Sequence, residues 1–533
     1  MSRTRSRYLA AISLLALGAF FVRASSLDSQ SLWRDEVDAL RFAIAPWTEV
    51  LSNFTRPGWN GPLYYLLLRG WIAFTGTSEY AMRFSSLIPG ILAIPLIYVL
   101  GRRLFNSPVG LLSALLVTSS PYLVWYSQEV KMYSLVLALG LLAIYSLRRA
   151  LESGEWGWWL TQIAATTAAF YSHILAALLI PVQVLVSLVW WSRTREEWRR
   201  ALTSLAVLTL PYLPLVAWQA PLALETRETG FTSYSLDQMI VILLNGWSTG
   251  IAGWGSTWGA ALAALLAATG LFSQVSCLPL ISTERARREE RPSDGLALSI
   301  WLLTPLISVW LISLRQPLFT DRYLIWSTPP FYLLVALALT SFARPKNWSW
   351  LVGAGLLIIV LALNGINVWR QATTPIKSDF RAVAAYVASH DEPPPPVEAP
   401  VAVKDSPFRW YLPVIMAEQS RFEDLIIFQI PYGRYAFDYY FPMETYAWAE
   451  GPYTNHRAPD GGYQMSEQEA AWRMREITKD HKVIWLVATE VGMWDERNLV
   501  QRWLDEHLQR VSEAHFTRVD VYRYVHPDAQ HVR

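Results

Sequence analysis

A single cysteine in 533 residues, Cys277, excludes an intramolecular disulfide and a cysteine-built metal cluster. Charge is scarce as well. Asp, Glu, Lys and Arg make up 17% of the chain and nearly cancel, for a net charge of +2, so nucleic acid is not an expected partner. No internal repeat is evident, and residues 371–533 carry neither a glycine-rich phosphate loop nor a nucleophile elbow. What the chain has in excess is apolar and aromatic: 53% hydrophobic residues, 14% aromatic, and 27 Trp. An ordinary soluble protein is less apolar, and Trp and Tyr favour membrane–water interfaces.

Apolar runs of the length a bilayer crossing needs, about 17–25 residues, recur through residue 369. Eleven spans are predicted, near 8–25, 80–101, 107–125, 132–147, 157–172, 174–192, 201–218, 258–280, 295–314, 323–342 and 349–368, with a candidate half-span in 236–257. Basic residues supply the orientation. Arg3, Arg5 and Arg7 precede the first span. Arg102 and Arg103, Arg148 and Arg149, "RTREEWRR" (193–200), "ERARREER" (284–291) and "RPK" (344–346) then fall in every second loop. The expectation is a multi-pass cell-membrane protein with a cytoplasmic N-terminus and everything after residue 369 extracytoplasmic. Ala24 and Ser26 suit a signal-peptide cleavage site, but a multi-span chain needs no removable signal, so the first segment is read as an anchor.

Past the last span the composition changes. Residues 378–390 look helical, the run "DEPPPP" (391–396) punctuates the chain, and strand-like segments follow: "VAVKD", "DLIIFQI", "KVIWLVATE" and "RVDVYRYV". Ser466 and Glu469 form a capping box ahead of a helical stretch. Strands alternating with helices suggest a small α/β domain for recognition or support. The predicted division is 1–370, a transmembrane domain with juxtamembrane helices in its outer loops, and 371–533, an extracytoplasmic α/β domain.

The chemistry concentrates in the predicted outer loops. In "SLWRDEVDALRFAIAPW", Trp33, Val37, Leu40 and Ile44 form one helical stripe; Asp35 and Asp38 point away from it and Glu36 borders it. An interfacial helix with acids above it fits. So does simple capping, with Asp35 as N-cap. Other outer segments place Gln128, Glu129, Lys131 and Tyr133, then His173, then Asp321 and Arg322, at the same membrane depth. Each has a local explanation: pairing of Glu129 with Lys131, a satisfied turn histidine, a snorkelling arginine. Together, carboxylates, a histidine and cations on one face suit a phosphate-bearing substrate.

The segments "LWRDEVDAL", "NGPLYYLLLRGWIAFTGTSEYAMRFSSLIPG", "SQEVKMYSL", "FYSHI" and "DRYLIWSTPP" resemble the successive motifs of bacterial glycosyltransferase family 39 proteins, relatives of the protein O-mannosyltransferases and the lipid A aminoarabinose transferase. The likeness covers residues 1–342. The third motif usually reads Gln-Glu-Ala-Arg-Met-Tyr; Val130 and Lys131 depart from it, and lysine keeps the charge but loses the bidentate fork. The resemblance implies a C-type glycosyltransferase fold, mainly α, and a sugar donor on a polyprenyl phosphate. It also implies an inverting transfer to an acceptor hydroxyl of a glycan, lipid or protein. It makes Asp35 of the Asp35–Glu36 pair the general base and Glu129 a second acid that orients the acceptor or, with Asp35, holds a divalent ion such as Mg²⁺ or Mn²⁺. Lys131, Arg83 and Arg322 are candidate phosphate contacts. His173, Gln128, Tyr133 and the aromatic stretches 59–71 and 122–133 are candidate contacts to sugar, lipid or acids. Other readings stay open: a transporter or flippase of lipid-linked sugars, an inactive relative acting as scaffold, or a polymerase or ligase of lipid-linked glycans.

Overall fold

A computed structural model describes residues 3–55, 60–224, 231–275, 291–342, 348–390, 422–441, 446–458 and 461–527. The basic segments at 284–291 and 344–346, the proline run and "VAVKD" fall largely or wholly outside them. The described residues form two compact units. The first comprises Met1–Leu27, Phe42–Thr75 and Tyr80–Thr373; the second comprises Asp28–Arg41, Gly76–Glu79 and Thr374–Arg533.

The helices are, in chain order, α1 (Arg3–Ala24), α2 (Arg34–Ile44), α3 (Trp47–Phe54), α4 (Leu63–Thr75), α5 (Glu79–Leu104), α6 (Ser107–Ser119), α7 (Pro121–Tyr126), α8 (Tyr133–Ser153) and α9 (Trp156–Ser172). A 3₁₀ turn, Ile174–Leu178, leads into α10 (Leu179–Val189), followed by α11 (Trp191–Thr194), α12 (Trp198–Leu224), α13 (Leu236–Thr249), α14 (Ser256–Val275) and α15 (Arg291–Ser313). A second 3₁₀ turn, Asp321–Ser327, opens α16 (Thr328–Ser341), and α17 (Ser349–Thr373) ends the first unit. Among the described residues, eight stretches are long and apolar enough to cross a membrane: Ser6–Ala24, Glu79–Leu104, Tyr133–Ser153, Trp198–Pro221, Ser256–Gln274, Ser293–Ser313, Asp321–Ser341 and Ser349–Thr373.

Three of the eleven expected spans differ, each for a local reason. The run 107–125 is broken: Pro121 has no N–H to continue the ladder, Ser120 before it is extended (ψ 118°), and its hydroxyl accepts from Leu123 N–H at 3.3 Å, starting α7 afresh. The run 157–172 is helical but only 17 residues long, and 174–192 begins as a 3₁₀ turn. The candidate half-span is the short helix α13. Helix α16 is apolar on every side and is buried along nearly its whole length, packed on α14 and α6, as an all-round apolar helix must be.

In the second unit, α18 (Phe380–Ala388) precedes β1 (Phe422–Phe428), α19 (Gly433–Tyr440), β2 (Tyr446–Glu450), α20 (Glu467–Thr478), β3 (Val483–Thr489), α21 (Val491–Trp494), α22 (Leu499–His507), β4 (Gln509–Phe516) and β5 (Val519–Val525). The sheet order is β2-β1-β3-β5-β4. Strands β2, β1 and β3 run parallel, while β5 is antiparallel to both β3 and β4. The central β3, "VIWLVAT", has no exposed residue, as a strand covered on both faces requires. Leu425, Ile427, Ile484, Leu486, Met474, Val500 and Leu504 form the core on one face. Ser466 caps α20 by accepting from Glu469 N–H at 3.1 Å; the Glu469 carboxylate meets Arg473 at 2.8 Å, one turn along the helix.

Candidate functional site

The candidate residues fall in both units, and each group is built by its own neighbours. In the first unit, the tight turn Ser127–Met132 between α7 and α8 carries Glu129 and Lys131, which are 1% and 9% exposed. A buried turn must satisfy its backbone locally. Ser86 Oγ donates to the Lys131 carbonyl (3.1 Å), Ser134 Oγ donates back to the Ser86 carbonyl (2.7 Å), and Lys131 N–H donates to the Glu129 carbonyl (2.7 Å). Helix α5 comes close enough that a β-carbon on Gly90 would lie 2.6 Å from that of Ser127.

His173 ends α9. Its imidazole is 2% exposed, and neither ring nitrogen has a hydrogen-bond partner among the described residues. It lies between Tyr323 (ring centroids 4.8 Å apart) and Tyr133 (6.2 Å), and Tyr133 meets Tyr126 (5.3 Å) on one side and the Arg322 guanidinium (5.9 Å) on another. Burial first, then the Arg322 and Lys131 cations, lower the His173 pKa to about 3. Tyr126 Oη reaches Asp321 at 3.5 Å, and Glu129 acts electrostatically on the same tyrosine. Glu129, Lys131, Tyr133, His173 and Arg322 are therefore brought together. Tyr126, inside the aromatic stretch 122–133, and Tyr323, next to Arg322 but not singled out from the sequence, complete the group.

Two candidates have bonds of another kind. Arg83 donates to the Leu27 carbonyl at 2.6 Å, and the Gln128 amide donates to the Arg23 carbonyl (2.8 Å) and to Ser26 Oγ (2.9 Å). Both tie the end of α1 to the bundle.

The stretch 60–63 clamps the His173 turn. Asn60 Oδ1 accepts from Ile174 N–H at 3.2 Å, and a β-carbon on Gly61 would lie 2.3 Å from the Tyr171 carbonyl oxygen, a separation no side chain tolerates. Beyond this clamp α4 and α9 border an apolar groove of about 680 Å³, lined by Leu63, Leu66, Leu160, Ile163 and Tyr171 among others.

In the second unit, α2 begins at Arg34; the Trp33 carbonyl accepts from Glu36 and Val37 N–H at 3.0 and 3.1 Å. Asp35 thus lies in the first turn and is not the N-cap. It is half-exposed, whereas Glu36 is fully buried in an ion pair with Lys377 at 2.8 Å. Asp38 lies between Arg34 (3.8 Å) and Arg41 (3.6 Å). The segment around α2 is fastened at many points. Ser31 Oγ donates to Asp379 (2.6 Å), Leu32 N–H donates to Tyr440 Oη (2.6 Å), and Gln30 Oε1 accepts from Ile376 and Lys377 N–H (2.9 and 3.0 Å). Arg34 stacks on Tyr432 (3.7 Å) and Arg41 on Tyr435 (3.3 Å). Glu79 accepts from both Arg381 and Tyr440.

Among the described residues no three His, Cys, Asp or Glu side chains gather where they could hold one metal ion. Neither Asp35 nor Glu129, the expected ligands of a divalent cation, belongs to such a group among the described residues.

Residues 57–218 match the family model for dolichyl-phosphate-mannose-protein mannosyltransferases. The chain is 26% identical over 380 residues to the undecaprenyl phosphate-α-4-amino-4-deoxy-L-arabinose arabinosyl transferase of Pseudomonas aeruginosa (strain LESB58), a match that covers 67% of this chain and spans 64% of that protein. A Pseudomonas paraeruginosa protein of the same name is 27% identical over 376 residues, covering 66% of this chain and 63% of its own. Among solved structures, ArnT from Cupriavidus metallidurans bound to undecaprenyl phosphate superimposes with a TM-score of 0.55 at 14% identity, covering 97% of this chain and 98% of that one. The Archaeoglobus fulgidus oligosaccharyltransferase in complex with zinc and sulfate gives 0.56 at 13% identity, covering 97% and 73%. At such identities these two structures establish the fold, and the expected fold class, a mainly α membrane protein with a C-terminal α/β part, is the observed one.

Proposed function

We propose that this chain, a glycosyltransferase family 39-like membrane protein with the C-type glycosyltransferase fold, moves a sugar from a polyprenyl-phosphate donor to an acceptor hydroxyl. The observation that carries the reading is the His173 turn: a buried imidazole with two cations, Lys131 and Arg322, acting on it and an apolar groove leading away beside α9. Cations around the buried turn that ends α9, with an apolar groove along the same helix, fit a lipid whose headgroup is a phosphate. The relatives' names, which specify undecaprenyl phosphate, agree with that class of donor.

In this reading Lys131 and Arg322 hold the donor phosphate, and Tyr133 and Tyr323 border the sugar. His173, neutral, donates one N–H to a phosphate or sugar oxygen. The polyprenyl chain follows the α4–α9 groove. Asp35 removes the acceptor's proton as its oxygen attacks the anomeric carbon. The carbon–oxygen bond to phosphate breaks in the same step, inverting the configuration, and the electron pair leaves on the phosphate oxygen. A phosphate leaving group needs cationic stabilisation more than a proton, and two cations supply it. Glu129 orients the acceptor, while Glu36, held by Lys377, fixes α2 and so the aim of Asp35. The N-terminus is cytoplasmic, and the reaction and the second unit are on the extracytoplasmic side.

The test is turnover of radiolabelled polyprenyl-phosphate sugars by purified protein in detergent, wild type beside Asp35→Asn, with and without EDTA. Loss of donor consumption in a folded Asp35→Asn protein, by several orders of magnitude, is the expected result. Equal consumption by both would move the base elsewhere, and a drop with EDTA in the wild type would require a metal.

A further inference from the structure

A second apolar groove, of about 290 Å³, lies among α8, α9, α10 and α12 at the end of the bundle that carries the basic loops. It is distinct from the donor groove, because α9 offers a different face to each: Leu160, Ile163 and Thr167 to the first, Trp159 and Gln162 to the second. The floor of the second groove is a closed polar network. The Gln162 amide donates to Gln183, Gln183 donates to Thr166 (2.8 Å), and Ser204 donates to Gln162 Oε1 (2.6 Å). These groups satisfy one another, and the one further lining N–H that is buried without a partner among the described residues is Trp159 Nε1. Its walls, Trp159, Leu188, Leu205 and Leu208, suit a hydrocarbon chain.

The rim has different chemistry. Trp191 and Trp198 line the mouth and are 54% and 48% exposed, as aromatic side chains at a membrane–water boundary are. Immediately beyond them the segment 193–200, from the end of α11 to the first turn of α12, presents Arg195, Glu196 and Arg199 to solvent, an excess of one positive charge, while Arg200 is paired with Glu197 at 2.7 Å. An apolar slot with interfacial tryptophans at its mouth and two exposed guanidiniums above is complementary to one kind of molecule.

We propose that this groove binds one acyl chain of an anionic glycerophospholipid, with the lipid phosphate against Arg195 and Arg199. The lipid wedges between α9 and α12 and fills space that side chains leave open. A zwitterionic phospholipid has the same chains but offers the two arginines no net charge.

Native mass spectrometry of the delipidated full chain, offered equal amounts of phosphatidylglycerol and phosphatidylcholine, tests this. At about fivefold per arginine, the wild type should retain phosphatidylglycerol over phosphatidylcholine by roughly twenty-fivefold. The Arg195→Gln, Arg199→Gln double variant should retain the two lipids about equally. Ala201→Trp, which fills the groove and leaves the charges, should lose the bound lipid of either kind. Equal retention by the wild type, or an undiminished preference in the arginine variant, would overturn the proposal. The arginine variant decides the matter even where Ala201→Trp fails to fold.

Discussion

The His173 imidazole is neutral in the folded chain at any pH well above about 3, while in an unfolded chain it titrates near 6.5. Between those values the unfolded state binds the extra proton, so stability rises with pH across the window and falls as the medium is acidified below 6.5. The slope from this residue is up to about 1.4 kcal/mol per pH unit. His173→Gln should flatten that acid limb, which thermal unfolding in detergent between pH 4 and 7 would read. Glu129→Gln should lower turnover by about a hundredfold or more if the carboxylate acts on the acceptor, with unfolding temperature unchanged; an unaffected rate would assign it to packing. At this scale the sequence was informative. Glu129, Lys131, His173 and Arg322 were legible in three short motifs, because ionisable groups are rare in so apolar a chain and stand out against it. Arg83 and Gln128 stood out equally, and their bonds to the end of α1 could not be read from a one-dimensional pattern.

Helix α2 is fixed by contacts far along the chain, and the Glu36–Lys377 pair spans 341 residues. Removing one member of a buried pair leaves an uncompensated charge, at a cost of about 3–5 kcal/mol. Lys377→Met alone should therefore destabilise the second unit and lower kcat by loosening Asp35, while the Glu36→Gln, Lys377→Met double variant should recover much of the stability. A double-mutant cycle by thermal unfolding checks this; additivity of the two single changes would mean the pair is not coupled. Gly61→Ala tests the clamp on the His173 turn. With a backbone oxygen 2.3 Å from the added carbon, α4 or α9 must shift, and donor affinity should fall by tenfold or more with Asp35 untouched. Helices were legible where apolar runs were long. The break at Pro121 was equally legible, since proline and a preceding extended serine sit in plain sight, yet the run was read as continuous. Helix α4, which overlaps the aromatic stretch 59–71, and the strands β2 and β4 were not expected; neither strand has a buried residue, so each carries a weak periodic signal.

For the molecule as a whole, a reporter enzyme that is active only outside the cytoplasm should be active when fused after residue 533; an inactive fusion that is otherwise expressed would invert the topology. Sequence by itself determined that this chain belongs in a membrane, that its second unit is α/β, and which few ionisable residues deserve testing. Those conclusions depend on local quantities: hydropathy over some twenty residues, alternation along a strand, rarity of charge in apolar surroundings. Only the tertiary structure decided that Asp28–Arg41 packs with the C-terminal residues, that Glu36 is an internal anchor for the helix bearing Asp35, and that residues 60–63 hold the His173 turn. Such relations join positions more than a hundred residues apart, and they exist only once burial has made a buried charge or a missing β-carbon matter.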